Sequence, residues 1–224
     1  MEKILRGIPT GNAVSDSQNT VSNSENASIP TEKAVSEAEI RERERIEANR
    51  KEYERLLADP NYTDVEFNPE NGGLKATHIE HEKHENVDSK RLAFGSMTPN
   101  DLEKECQEIL YANGFSCILN SEHIFDPVTG KQLKVLDTTT NGKCVDIVSL
   151  TENGAKTIKN ALDRKKKQIR EINETYGTEW NSVILHFHDP SYFNEAKVRK
   201  GLGKTFKQII CALNTRPMKV MIIE

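Results

Sequence analysis

Two aspartates, Asp137 and Asp146, lie in the stretch KVLDTTTNGKCVDIVSL at 134–150. Asp137 ends an apolar run, Asn141-Gly142 is a hairpin turn signal, and Asp146 sits inside a β-branched run. That pattern predicts two neighbouring strands presenting two carboxylates. Hard oxygen ligands of this kind hold Mg²⁺ beside a scissile phosphodiester, so Asp137 and Asp146 are the candidate catalytic and metal-binding acids. The chemistry also gains from a cation near the attacking water. The position two after Asp146 holds Val148. This leaves three outcomes open: a relocated lysine (Lys143, Lys156 and Lys159 are near in sequence), a different mechanism, or lost activity. In a purely structural reading, Asp137 caps a turn and Asp146 is a polar residue on the open face of a strand.

His186 and His188 are a second pair of candidates. They alternate with Phe187 in SVILHFHD, so on a strand both histidines share one face. Imidazoles transfer protons near neutral pH, which a metal-independent ribonuclease needs for attack by a 2′-OH. A structural role on an apolar strand is the competing reading. A third feature is the basic run around Arg164-Lys165-Lys166-Lys167. Residues 151–219 hold 14 Lys and Arg against 7 Asp and Glu, a net of +7, although the whole chain is −4. Lys156, Lys159, Lys166, Lys167 and Arg170 are therefore candidate phosphate contacts for a nucleic acid. Trp180 and Tyr176 have the chemistry to stack a base, but packing is the simpler role for both.

The elements that must position these groups begin near Met97. Thr98-Pro99 with Asp101 reads as a helix start, Leu102, Cys106, Ile109 and Leu110 as one apolar face, and Asn113-Gly114 as a stop. Strand-like runs follow at 115–119, 123–125, 133–136 and 144–150. A long helix is expected over 153–174, with Ile158, Ala161, Leu162, Ile169 and Ile172 facing inward. A buried strand (182–189), a helix around 191–202 and a closing hairpin complete the pattern. The order α-β-β-β-α-β-α-β-β over 96–224 predicts a single compact α/β domain, a mixed sheet flanked by helices.

The rest of the chain differs in composition. Residues 1–30 are rich in Ser, Asn, Thr and Gly, which predicts a disordered arm. Residues 31–58 form a charged linker helix with Glu–Arg pairs three and four apart. Residues 59–95, with Asn-Pro, Asn-Gly-Gly and the spaced His78, His81 and His84, read as an exposed polar connector. Cys106, Cys117, Cys144 and Cys211 lack a CxxC pattern and read as reduced thiols. No apolar stretch has the length of a signal h-region or a membrane span. The expected location is the cytoplasm or a phage particle, with no membrane partner.

Two resemblances draw these residues together. Leu136-Asp137 and Asp146-Ile147-Val148 resemble the restriction-endonuclease-like PD-(D/E)xK core in order and spacing. NPENGGLKATHIEHEKH (68–84) resembles the lead-in of CdiA-type C-terminal tRNase toxin domains of contact-dependent inhibition proteins, which also occur in phage and mobile elements. That likeness continues through LYANGFSCIL, DTTTNGKCVDIVSL, the basic helix and VILHFHD. It implies a toxin-like nuclease acting on tRNA, neutralised by an immunity protein, with Asp137 and Asp146 in the site. The family pattern reads D-G…(E/D)-I-K, and this chain has Thr138 and Val148 at the glycine and lysine positions. Two alternatives remain: a non-enzymatic binding module kept as a phage structural or cargo protein, and a metal-dependent DNA endonuclease.

Overall fold

Eight strands in sequential order make one mixed sheet. The computed structural model describes residues 36–81, 96–121, 136–150 and 155–224, with Ala155 and Lys156 described by backbone only. In chain order the elements are α1 (Glu37–Leu57), β1 (Tyr62–Phe67), β2 (Leu74–His78), α2 (Pro99–Ala112), β3 (Ser116–Leu119), β4 (Thr138–Thr140), β5 (Lys143–Ser149), α3 (Ala155–Tyr176), β6 (Ser182–Phe187), a 3₁₀ turn (Pro190–Tyr192), α4 (Glu195–Arg199), β7 (Gln208–Leu213) and β8 (Lys219–Ile223). Strands β2, β3, β5, β6 and β7 run in one direction; β1, β4 and β8 oppose them. Parallel neighbours need long crossovers, which α2 supplies between β2 and β3, and α3 between β5 and β6. The α/β class and the mixed sheet are those expected from the sequence.

Side-chain alternation assigns the faces. Cys106, Ile109 and Leu110 of α2 pack on Cys117, Leu119, Val145, Ile147 and Ile184. Ile158, Leu162 and Ile169 of α3 pack on Val148, Leu150, Val183 and Leu185. Leu56 of α1 packs on Leu74, Ala76 and Ile118. Neighbouring residues along β3 and β5 thus point to opposite helices, so α1 and α3 share one face and α2 covers the other. The fully buried Leu and Ile side chains contribute about 1.5–3 kcal/mol each.

Local signals explain the element ends. Ser36 and Glu39 form a capping box on α1, and Thr98 with Asp101 forms one on α2. Asn141 and Gly142 both have positive φ (47° and 73°), as a two-residue hairpin turn requires. The Asn141 side chain also accepts from the Ser116 backbone N–H at 3.0 Å, tying the turn to β3.

The segment expected as an exposed connector at 59–95 instead supplies β1 and β2, which extend the sheet. Its histidines are not all exposed. His81 is buried, with Nδ1 3.0 Å from the Asn120 carbonyl and Nε2 3.0 Å from Glu103. His84 lies outside the described residues. The charged helix is likewise docked rather than a free linker. Asn49 donates to the Gly72 carbonyl at 2.8 Å, and Arg45 reaches the carbonyls of Asn71 and Gly114. Gly72 permits this docking, since a Cβ there would meet Ile46 of α1 at 2.5 Å, while Gly73 lies close against the Tyr111 carbonyl of α2.

The helix expected around 191–202 is a 3₁₀ turn plus the five-residue α4. The expected arm at 1–30, the strand at 123–125 and most of that at 133–136 lie outside the described residues.

Candidate active site

The β4–β5 hairpin places the two aspartates. Its register pairs Thr140 with Lys143, Thr139 with Cys144 and Thr138 with Val145. One step further sets Asp137 against Asp146. The Ile147 backbone N–H donates to Asp137 Oδ2 at 2.9 Å, so the Asp137 carboxylate continues the ladder. Asp146 is fully buried on the α3 face, where Lys165 of α3 forms an ion pair with its Oδ2. The Lys165 side chain is 13% exposed. The groups facing the Asp146 carboxylate are the Lys165 ammonium and the Asp137 carboxyl.

The ammonium beside Asp146 comes from Lys165 rather than from the position of Val148. Val148 follows Asp146 on the same face but is packed among Ile158, Leu162 and Leu185. An ammonium there would be buried in hydrocarbon. Lys165 brings a cation to Asp146 from the facing helix, and of the nearer lysines whose side chains are described neither does so. Lys143 is exposed on β5, Lys159 pairs with Asp163 at 3.9 Å, and the side chain of Lys156 lies outside the described residues.

The charges are coupled. Burial pushes the Asp137 carboxyl well above its usual range, and the facing Asp146 and nearby Glu103 add to the rise, opposed by Lys165. Asp137 is half-buried, so part of its surface remains accessible. The raised Asp137 carboxyl therefore favours its protonated form, beside the Asp146–Lys165 ion pair. Among the described residues no three His, Cys, Asp or Glu side chains are arranged to hold a metal ion. The donor set is the two carboxylates. It suits Mg²⁺, which takes one or two protein carboxylates and keeps several waters.

His186 and His188 do share a face, as the alternation implied, and that face is the α2 side. Glu105 bridges them: its Oε1 is 2.9 Å from His186 Nε2 and 2.8 Å from His188 Nδ1. His186 Nδ1 is 2.9 Å from Ser149 Oγ. Burial works to raise the Glu105 pKa, but hydrogen bonds from both histidines outweigh it and hold the carboxylate below its usual range. His186 is fully buried and fastens α2 to β6. The histidines are thus on the sheet face opposite the Asp146 side chain.

The basic residues of α3 divide. Lys159 and Lys167 are about four-fifths exposed at 77% and 80%. Arg170 is exposed, whereas Lys166 is three-quarters covered and lies 3.8 Å from Asp163. Trp180 packs against the α3 core, while Tyr176 is exposed. All four cysteines are free thiols. No helix among the described residues is long and apolar enough to cross a membrane.

No family model matches the chain, and no curated protein matches it. Among solved structures, a CdiA-CT/CdiI toxin and immunity complex from Burkholderia pseudomallei is similar to it, with 16% identity and a TM-score of 0.34. The match covers 55% of this chain and 81% of that one.

Proposed function

We propose that this chain is a toxin-type ribonuclease, with Asp137, Asp146 and Lys165 as its reactive centre. The observation that carries this reading is the fully buried Asp146, met by Asp137 from the next strand and by the Lys165 ammonium from the facing helix. A buried carboxylate pair with one ammonium is costly to stability, and such groups cluster where chemistry needs them.

Asp137 and Asp146 would hold Mg²⁺, which when bound supplies a polarised phosphate and an activated water. The residues themselves do the remaining work. Asp137, whose carboxyl is raised by burial, would have to release its proton to serve as a ligand. Lys165 keeps Asp146 oriented and presents positive charge where negative charge develops on the phosphate. The exposed Lys159, Lys167 and Arg170 of α3 lead the nucleic-acid backbone to this face. tRNA as substrate and an immunity protein as partner rest on the sequence likeness at 68–84 to CdiA-type tRNase domains.

The test is a substrate panel. Purified protein is incubated with tRNA and with plasmid DNA, each with Mg²⁺ or EDTA. The expected result is Mg²⁺-dependent tRNA cleavage. Plasmid cleavage alone makes the protein a DNA endonuclease. EDTA-resistant tRNA cleavage removes the aspartates as metal ligands and transfers the role to His186 and His188. No cleavage of either substrate leaves the binding-module alternative.

A further inference from the structure

Asp137 lies just outside β4, which begins at Thr138 and is three residues long. Its carboxyl faces that of Asp146, and two such groups repel when both are ionised. A carboxylate in that position needs a fixed backbone. Asn120, one step beyond the end of β3, supplies it through three atoms. Its backbone N–H donates to the Asp137 carbonyl at 2.9 Å, and its side-chain amide donates to the Leu136 carbonyl at 3.0 Å. Its side-chain oxygen accepts from the Thr139 hydroxyl at 3.2 Å. Asn120 therefore grips the chain before, at and after Asp137.

Asn120 is in turn held by His81. This imidazole is 1% exposed and sits in a turn after β2, where its backbone N–H donates to the His78 carbonyl at 2.9 Å. Its Nδ1 is 3.0 Å from the Asn120 carbonyl. A carbonyl oxygen only accepts, so Nδ1 carries the hydrogen in this contact. Nε2 lies 3.0 Å from Glu103 Oε2 of α2. Glu103 is near enough to Asp137 to help hold its pKa up. One buried ring thus ties together three segments that meet around Asp137: the turn after β2, the first half of α2 and the end of β3. Groups that orient a metal-binding side chain from behind change metal affinity or activity by about 10–100-fold when they are removed.

We propose that His81 is a positioning residue for the Asp137 carboxylate, acting through the hydrogen bond from its Nδ1–H to the Asn120 carbonyl. Its effect on cleavage rests on the ribonuclease reading, whereas the place of the carboxylate is read without it. Asp137 Oδ2 accepts from the Ile147 backbone N–H at 2.9 Å, so the Ile147 amide resonance reports where that carboxylate lies.

The test uses two amides of different reach. His81→Asn places its side-chain N–H near the Nδ1 position and keeps a donor for Asn120; His81→Gln places it near Nε2 and loses that donor. Amide NMR, Mg²⁺ calorimetry and single-turnover tRNA cleavage are measured on the full chain for the wild type and both variants, each shown folded by circular dichroism. His81→Gln should move the Ile147 resonance, weaken Mg²⁺ binding about tenfold or more, and lower the maximal cleavage rate by a similar factor at an unchanged half-saturating tRNA concentration. His81→Asn should stay within about threefold of the wild type in both affinity and rate. Equal behaviour of the two variants, with the Ile147 resonance and Mg²⁺ affinity of the wild type, overturns the proposal. If His81→Gln does not fold, the wild-type ring is read directly by long-range nitrogen NMR: a hydrogen on Nδ1 is expected, and Nδ1 without one overturns the proposal. Cleavage by the wild type with an Ile147 resonance unmoved in His81→Gln leaves the nuclease reading standing and removes the role of His81. A moved resonance without RNA cleavage does the reverse.

Discussion

Replacing Lys165 by Met exposes how the buried charges balance. Asp146 is fully buried and Lys165, the cation that faces it, is 13% exposed. Removing one partner of a buried ion pair costs about 3–5 kcal/mol, because the other charge is left uncompensated. Lys165 keeps some solvent contact, so a value near the lower end, about 3 kcal/mol, is expected for Lys165→Met at pH 7. Asp146→Asn should cost less, since the freed ammonium can swing toward water and the repulsion with Asp137 disappears. The double variant removes both charges and should lie close to the wild type, within about 1 kcal/mol, as buried pairs replaced by neutral groups often do. A double-mutant cycle by urea denaturation reads the coupling, expected on the order of 2 kcal/mol or more. Additive single effects, with a Lys165→Met penalty below about 0.5 kcal/mol, would refute the pairing and place Lys165 in solvent.

Four further outcomes follow from the structure. Asp137→Asn should raise the denaturation midpoint at neutral pH: the native carboxyl keeps its proton above the ordinary 3.8 while the unfolded chain releases it, so the wild type loses stability as pH rises through that window. Mg²⁺ binding by the wild type, followed by calorimetry in buffers of different ionisation enthalpy, should release a proton and tighten as pH rises; no proton release would contradict the raised Asp137 carboxyl. Glu105→Gln should cost about 2 kcal/mol at pH 7 through lost charge-assisted hydrogen bonds. Since the native Glu105 pKa is depressed, that contribution is present above 4.5 and fades as pH falls below it; a Gln variant equally stable at pH 7 would show that the His186–Glu105–His188 link holds nothing. Gly73→Ala should destabilise strongly, because its Cβ meets the Tyr111 carbonyl at 2.2 Å, and thermal unfolding unchanged by this substitution would refute the close packing around Gly73.

The pairing of Asp137 with Asp146 was legible in the sequence because a two-residue Asn-Gly turn fixes the register. Counting outward from Asn141-Gly142 brings those two residues together, and the hairpin follows that count. Lys165 was legible in principle: the inward stripe of α3 runs Ile158, Leu162, Ile169 and Ile172, and Lys165 occupies the vacant step between them. A lysine on an apolar stripe signals a buried counter-charge, but the surrounding Arg164-Lys165-Lys166-Lys167 run disguised it as one more solvated cation. Glu105 was not legible as the partner of His186 and His188, because they lie 81 and 83 residues away and only the fold joins them. The strands at 62–67 and 74–78 were hidden by their polar composition. β1 sits at the sheet edge, and Lys75 on β2 survives burial only through its ion pairs with Glu66 at 3.2 Å and Glu108 at 2.6 Å.

The most direct test of the central claim is the single-turnover rate of tRNA cleavage, in Mg²⁺, by the wild type and by Asp146→Asn and Lys165→Met, each shown folded by circular dichroism. The account expects cleavage by the wild type and a loss of about 100-fold or more in each variant, the scale on which removing a preorganised charge lowers catalysis. Wild-type rates in both folded variants would contradict it.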